Sequence, residues 1–154
     1  MNIKELMVGD LLRVNRDGLC IKKDTIVQIR GIDGDNKFEE KGLVGCAGCQ
    51  PLDKTQFAGG IWLDYLSPIP ITPEILQKNG FQLSKYGGYE WRERLYGCMG
   101  QSCSNTTPVE ITYDEGHCVV SNPHVGIIIQ GSIDYVHELQ HALLLCRIGK
   151  GIIV

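Results

Sequence analysis

No run of this chain reaches the roughly 18 consecutive apolar residues that a membrane-spanning helix needs, so no helical span is expected. Its start, Met1-Asn2-Ile3-Lys4-Glu5-Leu6, has neither the apolar core nor the small-residue cleavage site of a secretory signal. A cytoplasmic location is therefore expected. A surplus of positive charge is missing too. Fifteen Lys and Arg against 18 Asp and Glu leave a formal charge of −3, and Arg92 with Arg94 is only a local basic group, so neither nucleic acid nor membrane is favoured as a partner. The glycine-rich stretch from Gly45 to Gly60 lacks the Lys-Ser/Thr ending of a phosphate-cradling loop. Asp53, Asp64 and Glu110 form no pair with a spacing suited to acid–base work. Internal repeats and low-complexity tracts are also absent.

Glycine and cysteine are plentiful. Nineteen glycines in 154 residues predict tight turns and short strands. Seven cysteines (20, 46, 49, 98, 103, 118 and 146) are an odd number, and without a signal they predict reduced thiols rather than a disulfide framework.

Hydrophobic alternation predicts a first strand at Leu12 and Val14 and a second over Thr25–Ile32, closed by a turn at Asp33-Gly34-Asp35-Asn36. Two more short strands, at Gly42–Gly45 and Gly60–Leu63, flank a loop rich in Cys and Gly. Short, closely spaced strands of this kind suggest a small barrel, and the pattern resembles SH3-like barrels. Leu66-Ser67-Pro68-Ile69-Pro70-Ile71-Thr72-Pro73 then reads as a boundary, because three prolines in six positions oppose regular pairing. Thr72 as N-cap, Pro73 at the first helical position and Glu74 in the first turn begin a helix over 73–79, and Gly80 stops it. A hairpin of Val109–Tyr113 and Cys118–Val120, a buried strand at Val125–Ile129 and a helix over 133–147, capped by Ser132 or Asp134, follow. Ile152-Ile153-Val154 suggests a short tail strand. The expected fold class is α+β: a small SH3-like β-barrel over 1–66, then a helix–antiparallel strands–helix unit over 67–154. Each half is small for a core of its own, which leaves room for both to pack as one body.

Chemistry concentrates in two places. The first is His137-Glu138-Leu139-Gln140-His141, the His-Glu-x-x-His spelling of a zinc-hydrolase helix. Histidines four apart share a helical face, and Glu138 between them is the candidate base for a metal-bound water. Such a site needs a third ligand. The extended motif would place glycine and histidine where Leu144 and Arg147 stand, and Cys146 lies roughly 140° around the helix from His141. Cys98 and His117 are the remaining candidates. The competing expectation is an amphipathic core helix: Val136, Leu139, Leu143 and Cys146 recur on one face, with His137, Glu138 and His141 flanking that stripe, partly solvated. The missing third ligand favours the core helix.

The second place is Cys46-Ala47-Gly48-Cys49, which has the spacing of half a zinc knuckle. Cys98 and Cys103 would complete a four-thiolate site. A redox role needs the motif at a helix N-terminus, whereas Gly45, Gly48 and Pro51 read as loop. Trp62, Tyr65, Tyr86, Tyr89, Trp91 and Tyr96 are either a binding surface or, more often for such residues, core and hairpin packing.

Two resemblances bear on these sites. Gly97-Cys98, with Cys98 39 residues before His137, and the glycine-rich Gly45-Cys46-Ala47-Gly48-Cys49-Gln50 resemble elements of the peptide deformylases, which would imply a zinc hydrolase with Cys98 as third ligand. That family's Asp before the second His is Gln140 here. The stretches Leu66–Phe81 and Tyr135–Leu143, with the Met7-Val8-Gly9-Asp10 opening, resemble a group of small uncharacterised proteins from gut Bacteroidales genomes and their phages or mobile elements. In that group the matching helix also carries Gln in place of Glu138 and Asn in place of His141. The resemblance implies no established activity, and those replacements count against a metal-dependent hydrolase. The expected function is a non-enzymatic accessory or interaction protein with no cofactor, and the alternative is a zinc-dependent hydrolase on the His-Glu-x-x-His helix.

Overall fold

Leu12 and Val14 are fully buried while Arg13 between them is exposed, the period-2 alternation of a half-covered strand. The computed structural model describes residues 6–18, 21–38, 43–53, 59–85, 87–96, 106–122, 126–145 and 151–154. The chain divides into two compact units, Met1–Ile69 and Pro70–Val154. Each is built on a five-stranded sheet in which every recorded pairing is antiparallel, and with two helices the fold is α+β.

In the first unit the strands are β1 (Leu11–Val14), β2 (Ile26–Phe38), β3 (Leu43–Pro51), β4 (Gly59–Trp62) and β5 (Leu66–Pro68), with a 3₁₀ turn at Leu63–Tyr65. Their order is β4-β3-β2-β1-β5. No pairing among the described residues joins β4 to β5, so no closed barrel is found among them. Leu12, Val14, Val27, Ile29, Ala47, Cys49, Ile61 and Leu66 form the core.

Three sequence expectations change here. Asp33–Asn36 does not end β2, because the pairing with β3 slips between Asp33 and Lys37 and absorbs the polar residues as an irregularity. The expected Cys-rich loop is the middle of β3, paired on both sides. The prolines do not stop pairing either: Leu66–Pro68 lies against Leu12–Val14, and Pro70 forms an isolated bridge with Tyr135. An edge strand tolerates a residue with no N–H to give. With β5 paired to β1, the first unit runs to Ile69.

The second unit opens with α1 (Pro73–Lys78). Thr72 Oγ1 accepts from the Ile75 N–H at 3.4 Å, as an N-cap does. At the other end Phe81 N–H donates to Leu76 O and Gly80 N–H to Gln77 O, while Gly80 sits at φ 81°. Together these bonds are a Schellman motif, and buried Phe81 packs with Trp91 at 6.3 Å between ring centroids. The sheet is a plain meander of β6 (Gln82–Leu83), β7 (Tyr89–Tyr96), β8 (Thr106–Asp114), β9 (His117–Asn122) and β10 (Gly126–Ser132). Glu115 (φ 45°) and Gly116 (φ 83°) close the β8–β9 hairpin, as a two-residue turn with both central φ positive requires.

The last helix, α2 (Val136–Leu145), starts later than the expected 133. Ile133 N–H donates to Gly116 O at 2.7 Å and Asp134 O accepts from Ile71 N–H at 2.9 Å, so both residues are tied elsewhere before the helix begins. Residues 151–154 have no strand pairing, contrary to the expected tail strand, although Ile152 is buried. No helix among the described residues is long and apolar enough to cross a membrane.

Candidate functional site

The first turn of α2 carries the residues with the most chemical potential. Tyr135 O accepts from Leu139 N–H at 3.2 Å, which makes Tyr135 the residue that opens the helix and Glu138 its third helical position. From there the Glu138 side chain folds back. Its Oε2 accepts from the backbone N–H of Asp134 at 2.8 Å and of Tyr135 at 3.1 Å. This is the carboxylate half of a capping box, and it places negative charge at the positive end of the helix dipole.

Gly116 helps to set this helix start. It lies so close to Asp134 that an added Cβ would stand 2.6 Å from Asp134 Oδ1. On the neighbouring β8, burial pushes the Tyr113 hydroxyl above its usual pKa, with Asp134, Cys118 and Glu138 adding to the shift and a Gly116 backbone hydrogen bond opposing it.

The two histidines differ from each other. His137 is 4% exposed and belongs to the core, contrary to the expectation of a flanking, partly solvated ring. His141 is half-buried. The His137 ring stacks on Tyr135 at 6.0 Å (18° between planes) and meets His141 edge-on at 5.8 Å. Val136, Leu139 and Leu143 are buried as expected, Ala142 joins them, and Cys146 lies outside the described residues. So helix geometry does bring His137 and His141 side by side, and the glutamate between them points back to the helix start.

Of the candidate third ligands, Cys98 lies outside the described residues. His117 is exposed on β9, with its Nε2 3.3 Å from Gln130 Nε2. Among the described residues, no three His, Cys, Asp or Glu side chains converge as a metal site.

The cysteine pair falls on a strand, and strand periodicity separates it. Gly45, Ala47, Cys49 and Pro51 are buried while Cys46, Gly48 and Gln50 are half-buried, a strict alternation. Residues three apart then face opposite sides, which is not the disposition of a chelating pair. Burial, with Cys46 nearby, pushes the Cys49 thiol up to about 12. At neutral pH it is a protonated core side chain whose Sγ–H donates to Ala47 O at 3.4 Å. Cys103, like Cys98, lies outside the described residues.

The chain matches no known protein family, curated protein or solved structure.

The aromatics divide between core and surface. Trp91 is buried against Phe81, whereas Tyr65 is half-buried beneath the Arg16 guanidinium, 4.6 Å from its ring centroid. Trp62 and Tyr89 are half-buried, Tyr86 lies outside the described residues, and the Tyr96 side chain is among those not described. Sequence reasoning missed two residues. Asn15 ties the β1–β2 loop to the 3₁₀ turn through its Nδ2, which donates to Asp64 O at 3.0 Å and Leu66 O at 3.4 Å. Asn79 holds the C-terminal segment from 74 residues away. The one local signal for Asn79 was an amide, rather than an apolar side chain, at a buried helix end.

Proposed function

We propose that the protein is a non-enzymatic accessory or interaction protein that acts in the cytoplasm on a protein partner. Its origin would be the phage or mobile-element group that its Leu66–Phe81 and Tyr135–Leu143 stretches resemble. One arrangement carries this reading. Glu138, the residue a His-Glu-x-x-His hydrolase needs as its base, is committed through Oε2 to two backbone N–H groups at the start of α2. The pentad then reads as a helix start and a core helix, and Val136, Leu139 and Leu143 account for its spacing.

The first unit is best read as an SH3-like barrel. What supports this is the strand order, the long irregular β2, and the 3₁₀ turn between β4 and β5. Such a fold hosts many functions, so it supports a binding role only by analogy.

Zinc content of the purified protein, with His141→Asn alongside, tests the proposal. No stoichiometric zinc is expected in either form. About one zinc per chain, lost in His141→Asn, would overturn the reading in favour of a zinc hydrolase built on His137, His141 and Cys98 or His117, with Glu138 as base. Zinc that survives His141→Asn but disappears with Cys46→Ser would place it at Cys46, Cys49, Cys98 and Cys103 and leave α2 without a catalytic role.

A further inference from the structure

Asn79-Gly80, where α1 ends, is the one Asn-Gly pair in the chain. Such a pair is chemically labile, because a glycine has no side chain to hinder attack of its nitrogen on the preceding amide. The fold calls for each residue separately. Gly80 sits at φ 81°, in the left-handed region that glycine enters without strain. Asn79 is 3% exposed, and its amide bridges two stretches of backbone. Its Nδ2 donates to Ile75 O at 2.8 Å and to Ile153 O at 2.7 Å, and its Oδ1 accepts from Ile153 N–H at 2.9 Å. A turn that favours glycine and a buried bridge that uses an amide together create the labile pair.

The same contacts hold the reaction off. Conversion begins when the Gly80 nitrogen attacks Asn79 Cγ and closes a succinimide ring. A new C–N bond forms, the Cγ–Nδ2 bond breaks, and Nδ2 leaves as ammonia with the proton from Gly80. Water then opens the ring at either carbonyl, giving aspartate or isoaspartate at position 79. In the folded chain the side-chain bonds anchor Cγ, and Gly80 N–H is engaged with Gln77 O at 2.9 Å. Electrophile and nucleophile have to come free together, which requires the end of α1 to open.

The product does not fit back. An aspartate has no N–H, so a carboxylate oxygen would stand where Nδ2 now donates, against Ile75 O and Ile153 O with no proton between them. Isoaspartate reroutes the main chain through the side-chain carbon. That lengthens it inside the turn where Gly80 and Phe81 N–H groups bond back to Gln77 O and Leu76 O.

We propose that Asn79-Gly80 is a self-modification site gated by the fold. It is closed while the end of α1 is formed and converts when the chain opens, and the converted chain loses much of its native stability. Opening therefore becomes irreversible without any other protein. This goes beyond the role assigned to α2 and does not depend on whether α2 holds metal.

The full chain, warmed at neutral pH either native or unfolded in guanidinium chloride, tests this. Peptide mapping by mass spectrometry follows aspartate and isoaspartate at position 79, with Asn15, which precedes the bulky Arg16, as internal reference. Asn79 should convert ahead of Asn15 in the unfolded chain, and at least about 100-fold more slowly in the native chain than in the unfolded one. Equal rates at Asn79 in both samples would overturn the gating, and Asn15 converting first would overturn the choice of site. Products without isoaspartate would overturn the ring-closing route. Asn79→Asp, which has the aspartate product's side chain, should lower the folding equilibrium constant roughly 10- to 100-fold in denaturant unfolding. An unfolding curve like the parent's would overturn the irreversibility.

Discussion

On β3 two cysteines three residues apart face opposite sides of a sheet, whereas on α2 two histidines four residues apart lie ring against ring. Both stretches spell ligand motifs, and the fold separates one pair while joining the other. The reason is the period. A separation of three is odd in a strand, which alternates every residue, while a separation of four nearly completes one helical turn. Motif spacing is therefore only half of a site, and the other half is the secondary structure that receives it. Even where the period cooperates, as on α2, the residue between the histidines has a second use that the motif does not show: Glu138 closes the helix start.

The sharpest test of α2 as a core element is Leu139→Ala. Leu139 is 1% exposed, and truncation there should cost about 2–5 kcal/mol in urea unfolding, whereas His141→Ala, at a half-buried site, should cost far less. Equal losses would break the comparison by making the histidine as structural as the leucine.

Next in size is the contrast within β3. Cys49→Ser puts a hydroxyl into the core and should cost about 1–3 kcal/mol, while Cys46→Ser on the other face should stay within about 0.5 kcal/mol. A metal-linked pair would instead lose stability similarly in both variants and on chelation.

Glu138→Ala should cost about 0.5–2 kcal/mol as a lost cap, and Glu138→Gln less, because an amide oxygen can still accept at that position. The helical signal in circular dichroism and the unfolding midpoint would show it.

The last effect is absent at neutral pH. The Cys49 thiol has its folded pKa raised from 9.0 to about 12, so the folded chain keeps a proton that the unfolded chain releases. Its contribution is complete below pH 9 and is lost as pH rises from there toward 12. Cys49→Ala should flatten that part of the stability profile, and Cys46→Ala should leave the Cys49 loss in place.

The features legible in the sequence are those set by near neighbours. Thr72-Pro73-Glu74 and Asn79-Gly80 bound α1 because caps are local hydrogen bonds within a few residues. Leu12 and Val14, or Val136, Leu139 and Leu143, show their buried faces because periodicity is local as well. The turn expected at Asp33–Asn36 and the loop expected around Cys46 were misplaced for the converse reason. Glycine and aspartate weaken a strand in isolation, but pairing partners on β2, β3 and β4 supply enough hydrogen bonds to carry the strand through them.

By itself, then, the sequence determined the α+β class, the ends of α1, and the apolar stripe of α2, all of which rest on contacts between residues close along the chain. Only the tertiary structure decided that His137 is a core residue, that Cys46 and Cys49 part company, and that Asn79 grips Ile153 from 74 positions away. Burial and long-range hydrogen bonds depend on which distant segments meet, and no local pattern of residues encodes that meeting.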